Sequence, residues 1–264
     1  MAKRHGIILK TPEQIEKMRA AGRVVRKVHE HCRAICKPGI TTQEIDNQAR
    51  AIIDESGGTG LFIGYKGAIG TVPFPGNLCI SINEDVVHGI PGPREVKDGD
   101  IVSVDCGVKL DGWCGDAATT ILVGNVDKKV RKLCEDTEHV LQIAIDNIKP
   151  GRRWSQVARL MQSYAERNGY GVVRGFVGHG VGESLHEDPQ VPNYFSRDRS
   201  WKDFELRVGM TLAIEPMCNL GGRDDTEVMS DGWTVKTADR LPSAHYEHSV
   251  AVVKSGADVL TDGR

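Results

Sequence analysis

Acidic residues set in the middle of apolar strands are the first places where this sequence does more than build a core. Asp105 follows Ile101-Val102-Ser103-Val104, a run that reads as a buried strand. Further on, Asp111-Gly112 gives the strongest short hairpin signal, because both turn positions favour positive φ. With those two residues as the turn, Leu110 faces Trp113, Asp105 faces Ala118 and Gly107 faces Asp116. Asp105 and Asp116 then share one face as diagonal neighbours, ~7–8 Å apart at the backbone. Two carboxylates buried that close repel each other and require a shared proton or a cation.

An internal repeat multiplies this motif. ICKPGITTQEIDNQARAIIDESGG resembles IKPGRRWSQVARLMQSYAERNGYG, and KDGDIVSVDCG resembles RVGMTLAIEPM, at nearly the same spacing along the chain. Asp105 and Glu215 each stand six residues after the glycine shared by the second match, Gly99 or Gly209. Glu215 also interrupts an apolar run, Met210-Thr211-Leu212-Ala213-Ile214, and Glu247 in SAHYEHSVAVV fits the place of a second acid in the second half. A single acid at a strand edge is most simply solvated. Four acids, two of them at equivalent positions, exceed the two that a shared proton needs, and point to divalent cations.

Histidine biases such a site towards transition metals. His179 in GFVGHGVGES lies among closely spaced glycines, which let backbone approach a bound group; His186 follows it, and His88 sits in VVHGIPGP where a strand turns. These three are candidates for function. His5, His29, His31 and His139 read as terminal or helix-surface residues. His245 and His248 flank Glu247 and are expected to point away from its face.

The elements that must position these groups follow from periodicity and caps. Thr11-Pro12-Glu13-Gln14 opens a helix whose apolar face is Ile15, Met18, Val25, Val28, Cys32 and Ile35, stopped by Lys37-Pro38-Gly39. Thr41 with Glu44 caps a second helix, with Ile45, Ala49, Ile52 and Ile53 inward. In the second half, Val130, Leu133, Val140, Leu141, Ala144, Ile145 and Ile148 mark one helix, and Val157, Leu160, Met161 and Tyr164 the next. Strands follow in both halves. Helix pairs alternating with runs of strand predict an α+β fold, an antiparallel sheet covered by helices on one side, with a pseudo-two-fold relating halves at about 11–124 and 125–264 of one catalytic domain, 1–264.

Composition narrows the partners. The 264 residues hold 34 Lys+Arg against 36 Asp+Glu, a net charge of −2, which gives no support for nucleic acid or an anionic membrane as main partner. Seven cysteines show no zinc-knuckle spacing and no disulfide framework; Cys32 and Cys36, one helical turn apart, read as packing. The N-terminal apolar run is too short for a signal peptide and no window reaches membrane-spanning length. A reduced, cytoplasmic, soluble protein is expected.

SINEDVVHGIP, KDGDIVSVDCGVKLDGWCGDAATT, VGHGVGESLHEDPQVPNY, GMTLAIEPM and DGWTVKTADRLPSAHYEHSV together resemble, in order and spacing, the type I methionine aminopeptidases of the pita-bread fold, over nearly the whole chain. The resemblance implies removal of an initiator methionine from nascent chains when the next residue is small. It implies two divalent ions, cobalt, manganese, iron or zinc, held by Asp105, Asp116, His179, Glu215 and Glu247. Asp116 and Glu247 would bridge the ions, His179 and Glu215 complete one, and Asp105 the other. Glu215 would also shuttle the proton, His186 would bond the scissile carbonyl, and His88 would sit beside the scissile amide. The methionine pocket would include Tyr65, Phe74, Cys79 and Trp233, with Met217 at its edge, and a monovalent cation would lie near Asn83, Asp85 and Ser243.

The chain departs from the family pattern in a longer segment at 64–79, in a slightly extended FSRDRSWKDFELRVG, and in Leu185, which stands where many bacterial members have an aromatic. Prolidases and aminopeptidase P share the metal residues but usually carry an additional N-terminal domain, for which a helix starting at residue 11 leaves no room. A catalytically inactive binding protein of the same fold is the third reading, opposed by retention of every ligand. The family also implies a monomer that meets nascent chains near the ribosomal exit.

Overall fold

The computed structural model describes residues 6–66, 72–198 and 201–264; His5 lies outside them. The first half runs α1 (Pro12–Ile35), α2 (Thr42–Glu55), β1 (Thr59–Gly60), β2 (Leu78–Ile82), β3 (Asp85–Val87), β4 (Ile101–Leu110) and β5 (Trp113–Leu122). The second half continues with α3 (Lys128–Asn147), α4 (Trp154–Arg167), β6 (Gly171–Val172), β7 (Gly178–Gly180), β8 (Glu187–Val191), β9 (Thr211–Ile214), β10 (Met217–Asn219), β11 (Thr226–Val228), β12 (Val235–Thr237), β13 (Ser243–His245), β14 (His248–Val253) and β15 (Gly256–Val259).

Local chemistry explains the helices. Thr11 and Gln14 close a capping box on α1, as Thr41 and Glu44 do on α2. The predicted faces of both are buried except at Ile35 and Ile52, which are half-buried. His29 is a correction: it is buried, because it falls four residues after Val25 and seven after Gly22, within the apolar stripe. In α4 Leu160 turns outward and is exposed, while Trp154, unused in the periodicity, is fully buried. Ile148 caps α3 rather than continuing it.

The hairpin β4–β5 has the register its turn predicts, with Leu110 opposite Trp113, Asp105 opposite Ala118 and Gly107 opposite Asp116. Asp111 and Gly112 both take positive φ. β4 is the centre of a four-stranded sheet, flanked by β5 on one side and by β1 and β2 along the other. Its alternate residues Val102, Val104, Cys106 and Val108 pack with Val25, Val28, Ile45 and Ile53 of the helices. The intervening residues, Asp105 among them, therefore face the opposite side. Gly115 lets α1 lie directly on β5, since a Cβ there would sit 2.7 Å from the Gly22 nitrogen.

The repeat is visible in backbone hydrogen bonds. Gly39 N–H donates to Val96 O (2.9 Å) and Gly151 N–H to Leu206 O (2.8 Å); Thr42 N–H donates to Arg94 O (3.0 Å) and Trp154 N–H to Phe204 O (2.9 Å). Gly99 and Gly209 hold the same left-handed conformation, φ 93° and 91°. The second half nevertheless divides its strands. β15-β14-β9-β7-β8 form one sheet and β13-β10-β6 another, while β3 crosses from the first half to join β12 and β11. All strand pairings among the described residues are antiparallel. α3 and α4 cover the second half's apolar core around Met161, Leu206, Met210 and Leu212.

Candidate metal centre

Asp105 and Asp116 reach the site from mid-strand, held by the hairpin register. Glu215 and Glu247 arrive differently. β9 ends at Ile214, Pro216 follows Glu215, and the chain resumes as β10 in another sheet. β13 ends at His245 and β14 begins at His248, again in another sheet, with Glu247 in the gap. Both glutamates thus sit at corners where the chain changes sheets. His179 comes from β7, which pairs with β9 through His179 opposite Ala213.

The two halves are joined at this spot. Ala118 N–H donates to Glu247 O (3.3 Å) and Glu247 N–H to Ala118 O (2.9 Å). The Ser249 hydroxyl receives the Asp116 N–H (3.0 Å) and donates to the Asp116 carbonyl (2.8 Å).

Ligand atoms of Asp116, His179 and Glu247 all lie within 4.8 Å of one another. His179 Nε2 stands 3.6 Å from Asp116 Oδ2 and 3.7 Å from Glu215 Oε1, beyond hydrogen-bond reach. Burial presses the His179 pKa down to about 3, so these separations are not ion pairs. Its Nδ1 lies 3.0 Å from the Gly180 carbonyl, which fixes the ring proton there and leaves the Nε2 lone pair facing the acids.

The carboxylates are held uncomfortably. Burial, then neighbouring Asp116, raises Glu215 to about 8; burial raises Asp116 to about 7. Asp105 and Glu247 are pushed well above the carboxylate range by burial and then by Asp116 and Glu215. Asp105 Oδ1, Asp116 Oδ1 and Glu247 Oε1 have no hydrogen-bond partner among the described residues. Orphaned acceptors beside an imidazole lone pair fit a divalent cation, with oxygen and nitrogen donors suited to first-row metals.

All five of these residues line one cavity of about 230 Å³, together with His88, His186, Tyr65, Phe74, Cys79 and Trp233. That is below the ~300–1,000 Å³ of drug-sized sites and matches a single terminal side chain. Its apolar wall is a cluster of Phe62, Phe74, Cys79, Leu185 and Trp233. Phe74 meets Trp233 edge to face at 5.3 Å, and the indole N–H donates to Val72 O (2.9 Å). His88 packs between Phe176 and Trp233, and its pKa falls to about 4 through burial, then through His186.

Several expectations change here. Met217 is fully buried with Val86, Val173 and Val235 and does not line the cavity. His245 is buried outside the cavity, its pKa pushed down to about 3 by burial and then by His88. His248 does face away, its Nδ1 2.7 Å from the Thr261 hydroxyl. Asn83 and Ser243 meet, with Ser243 N–H donating to Asn83 O (2.8 Å). The Asp85 carboxylate already faces Arg94 (2.8 Å) and Lys236 (3.0 Å).

Phe62, Val228 and Val235 line the cavity without having been singled out. Phe62 has a sequence signal in retrospect: it precedes Tyr65 by one turn, and its ring fills the space that Gly107 leaves (a Cβ there would meet Phe62 at 2.9 Å).

A profile of metallopeptidase family M24 matches residues 16–254. The chain belongs to that family. M24 membership carries divalent metal binding, in agreement with the donor set. Methionine aminopeptidase 1 of Bacillus subtilis is 46% identical over 255 residues, covering 97% of this chain and 99% of the relative. The crystal structure of methionine aminopeptidase from Thermotoga maritima superposes with a TM-score of 0.90 at 41% identity, covering 97% of this chain and 99% of that one. An Xaa-Pro dipeptidase from Bacillus anthracis shares the fold, with a TM-score of 0.75 at 21% identity and 62% of its chain covered. The expected α+β, pita-bread architecture is thus borne out. No helix among the described residues is long and apolar enough to cross a membrane.

Proposed function

We propose that this chain is a metal-dependent methionine aminopeptidase that removes the N-terminal methionine of nascent proteins and peptides, preferentially before a small second residue. The observation that carries it is the single cavity in which five convergent metal donors meet an apolar wall of side-chain size. Asp116, Glu247, His179, Glu215 and Asp105 would together hold the two ions. When bound, divalent ions supply a lowered pKa for water and polarise the peptide carbonyl.

The chain's own groups do the rest. Phe74, Cys79 and Trp233 receive the methionine side chain and exclude water. Glu215 holds and passes on a proton near neutral pH, its pKa of about 8 in the ion-free protein marking a site where carboxylate charge is poorly solvated. His186 donates a hydrogen bond to the scissile carbonyl as negative charge grows on it. His88, kept neutral by burial, lies beside the scissile amide.

The finer parts of the reading are a single catalytic domain of two halves divided near residue 124, two ions per chain, and a monomer. It would work in the cytoplasm near the ribosomal exit, with no nucleic-acid specificity and no membrane. A monovalent cation at Asn83, Asp85 and Ser243 would rely on backbone carbonyls, because the Asp85 carboxylate is already neutralised. The Xaa-Pro peptidases share the fold alone and are not favoured.

Turnover of the peptide Met-Ala-Ser beside Xaa-Pro dipeptides tests the proposal. Met-Ala-Ser is cut and Xaa-Pro spared; the reverse preference would assign the chain to the prolidase branch.

A further inference from the structure

Tyr65 touches more than a methionine side chain. Its hydroxyl lies 2.9 Å from Nδ1 of His186, across 121 residues of sequence. Among the described residues this is the one side-chain hydrogen bond that the His186 ring makes. The ring also packs at 4.2 Å from His179 and at 5.5 Å from the Tyr65 ring. Tyr65 is itself held on both sides through the backbone. Its N–H donates to Phe62 O (2.9 Å), its carbonyl accepts from Phe74 N–H (2.9 Å), and Gly64 N–H donates to Phe74 O (2.8 Å). The phenol is therefore a fixed point from which the imidazole is aimed.

We infer that Tyr65 is a positioning residue whose hydroxyl donates to His186 Nδ1, keeping the ring proton on Nε2 so that His186 offers an N–H to the scissile carbonyl. A neutral imidazole has one donor and one acceptor nitrogen, and the partner of one nitrogen decides the state of the other. In the opposite arrangement Nδ1–H would donate to the phenol oxygen. Nε2 would then carry a lone pair, which repels a carbonyl oxygen instead of stabilising its developing charge. This inference rests on the aminopeptidase reading for the identity of the group that Nε2 meets, but the hydrogen bond itself does not.

Tyr65→Phe removes the hydroxyl and keeps the ring. In metal-free protein labelled with nitrogen-15, the His186 signals are assigned by their loss in His186→Gln. They are expected to show the Nε2–H tautomer in the native chain, and a mixture of tautomers in Tyr65→Phe. In metal-loaded enzyme the variant's kcat on Met-Ala-Ser is expected to fall by about three- to tenfold, the worth of one neutral hydrogen bond, with KM within about twofold. A native His186 protonated on Nδ1, or on both nitrogens, overturns the inference, and this spectrum decides even if the variant folds poorly. So does an unchanged kcat, or a raised KM at unchanged kcat, which would return Tyr65 to the pocket wall. Failure of the loaded native enzyme to cut Met-Ala-Ser would instead remove the aminopeptidase reading, leaving the tautomer measurement intact.

Discussion

The two halves bring acids to one point by different constructions. The first uses a regular hairpin of two ten-residue strands in which Asp105 and Asp116 are ordinary alternating positions. The second breaks its strands, so that Glu215 and Glu247 occupy corners between sheets. A corner residue is freed from the alternation of the pleat and can be aimed where the ladder would not send it. The pairing teaches that a duplicated module can keep its helices and glycine turns while one copy gives up regular strands to finish the site.

The widest break in this symmetry should come from Glu215. Glu215→Gln is expected to lower kcat on Met-Ala-Ser by ~10²–10⁴-fold, as loss of proton transfer does. Its melting temperature in ion-free protein should stay within a few degrees of the parent, since the amide has nearly the shape of the protonated carboxyl and keeps its packing. Substantial residual turnover would show that the corner acid is not the proton carrier.

Chelation should abolish activity, and divalent ions should restore it. The binding constant carries a pH signature. In ion-free protein Asp116 and Glu215 hold protons up to about 7 and about 8, and each must lose its proton to become a ligand. Affinity should therefore rise with pH through the neutral range, by about tenfold per unit for each proton displaced. Calorimetry in buffers of different ionisation enthalpy would count the protons; none released would mean that the acids are already ionised.

Smaller effects probe the join and the caps. Ser249→Ala leaves the buried Asp116 N–H without its acceptor and should cost about 1–3 kcal/mol in denaturant unfolding, with a matching loss of metal affinity. An unaffected affinity would mean that the join does not aim Asp116. Thr41→Ala should cost about 1 kcal/mol, because Thr41 caps α2 locally. Its counterpart Arg153 has no acceptor to offer. Asp203 serves α4 instead, receiving the Ser155 N–H (2.9 Å) and the Arg153 guanidinium (2.6 Å). Arg153→Ala should accordingly weaken α4 less than Asp203→Ala.

This contrast also explains what was legible in the sequence. The hairpin register followed from Asp111-Gly112 because a two-residue turn dictates every facing pair beyond it. The helices followed from caps and apolar spacing, and the repeat placed Glu215 by analogy with Asp105. Strands of two or three residues, such as β6 and β7, were not legible, because periodicity needs length to show. Nor was the break at Tyr246–Glu247, which places Glu247 at a corner between two sheets. His29 was misjudged because a histidine on a helix was taken as polar surface, although its position lies in the apolar stripe. Phe62 and Val235 reach the cavity through long-range pairing, β1 with β4 and β12 with β3, which no local pattern announces.

Ala118 and Glu247 clasp each other through the main chain beside the acids, so the two halves are fastened at the very point where the carboxylates gather. Flexing the halves apart would dismantle the very arrangement that cuts the peptide.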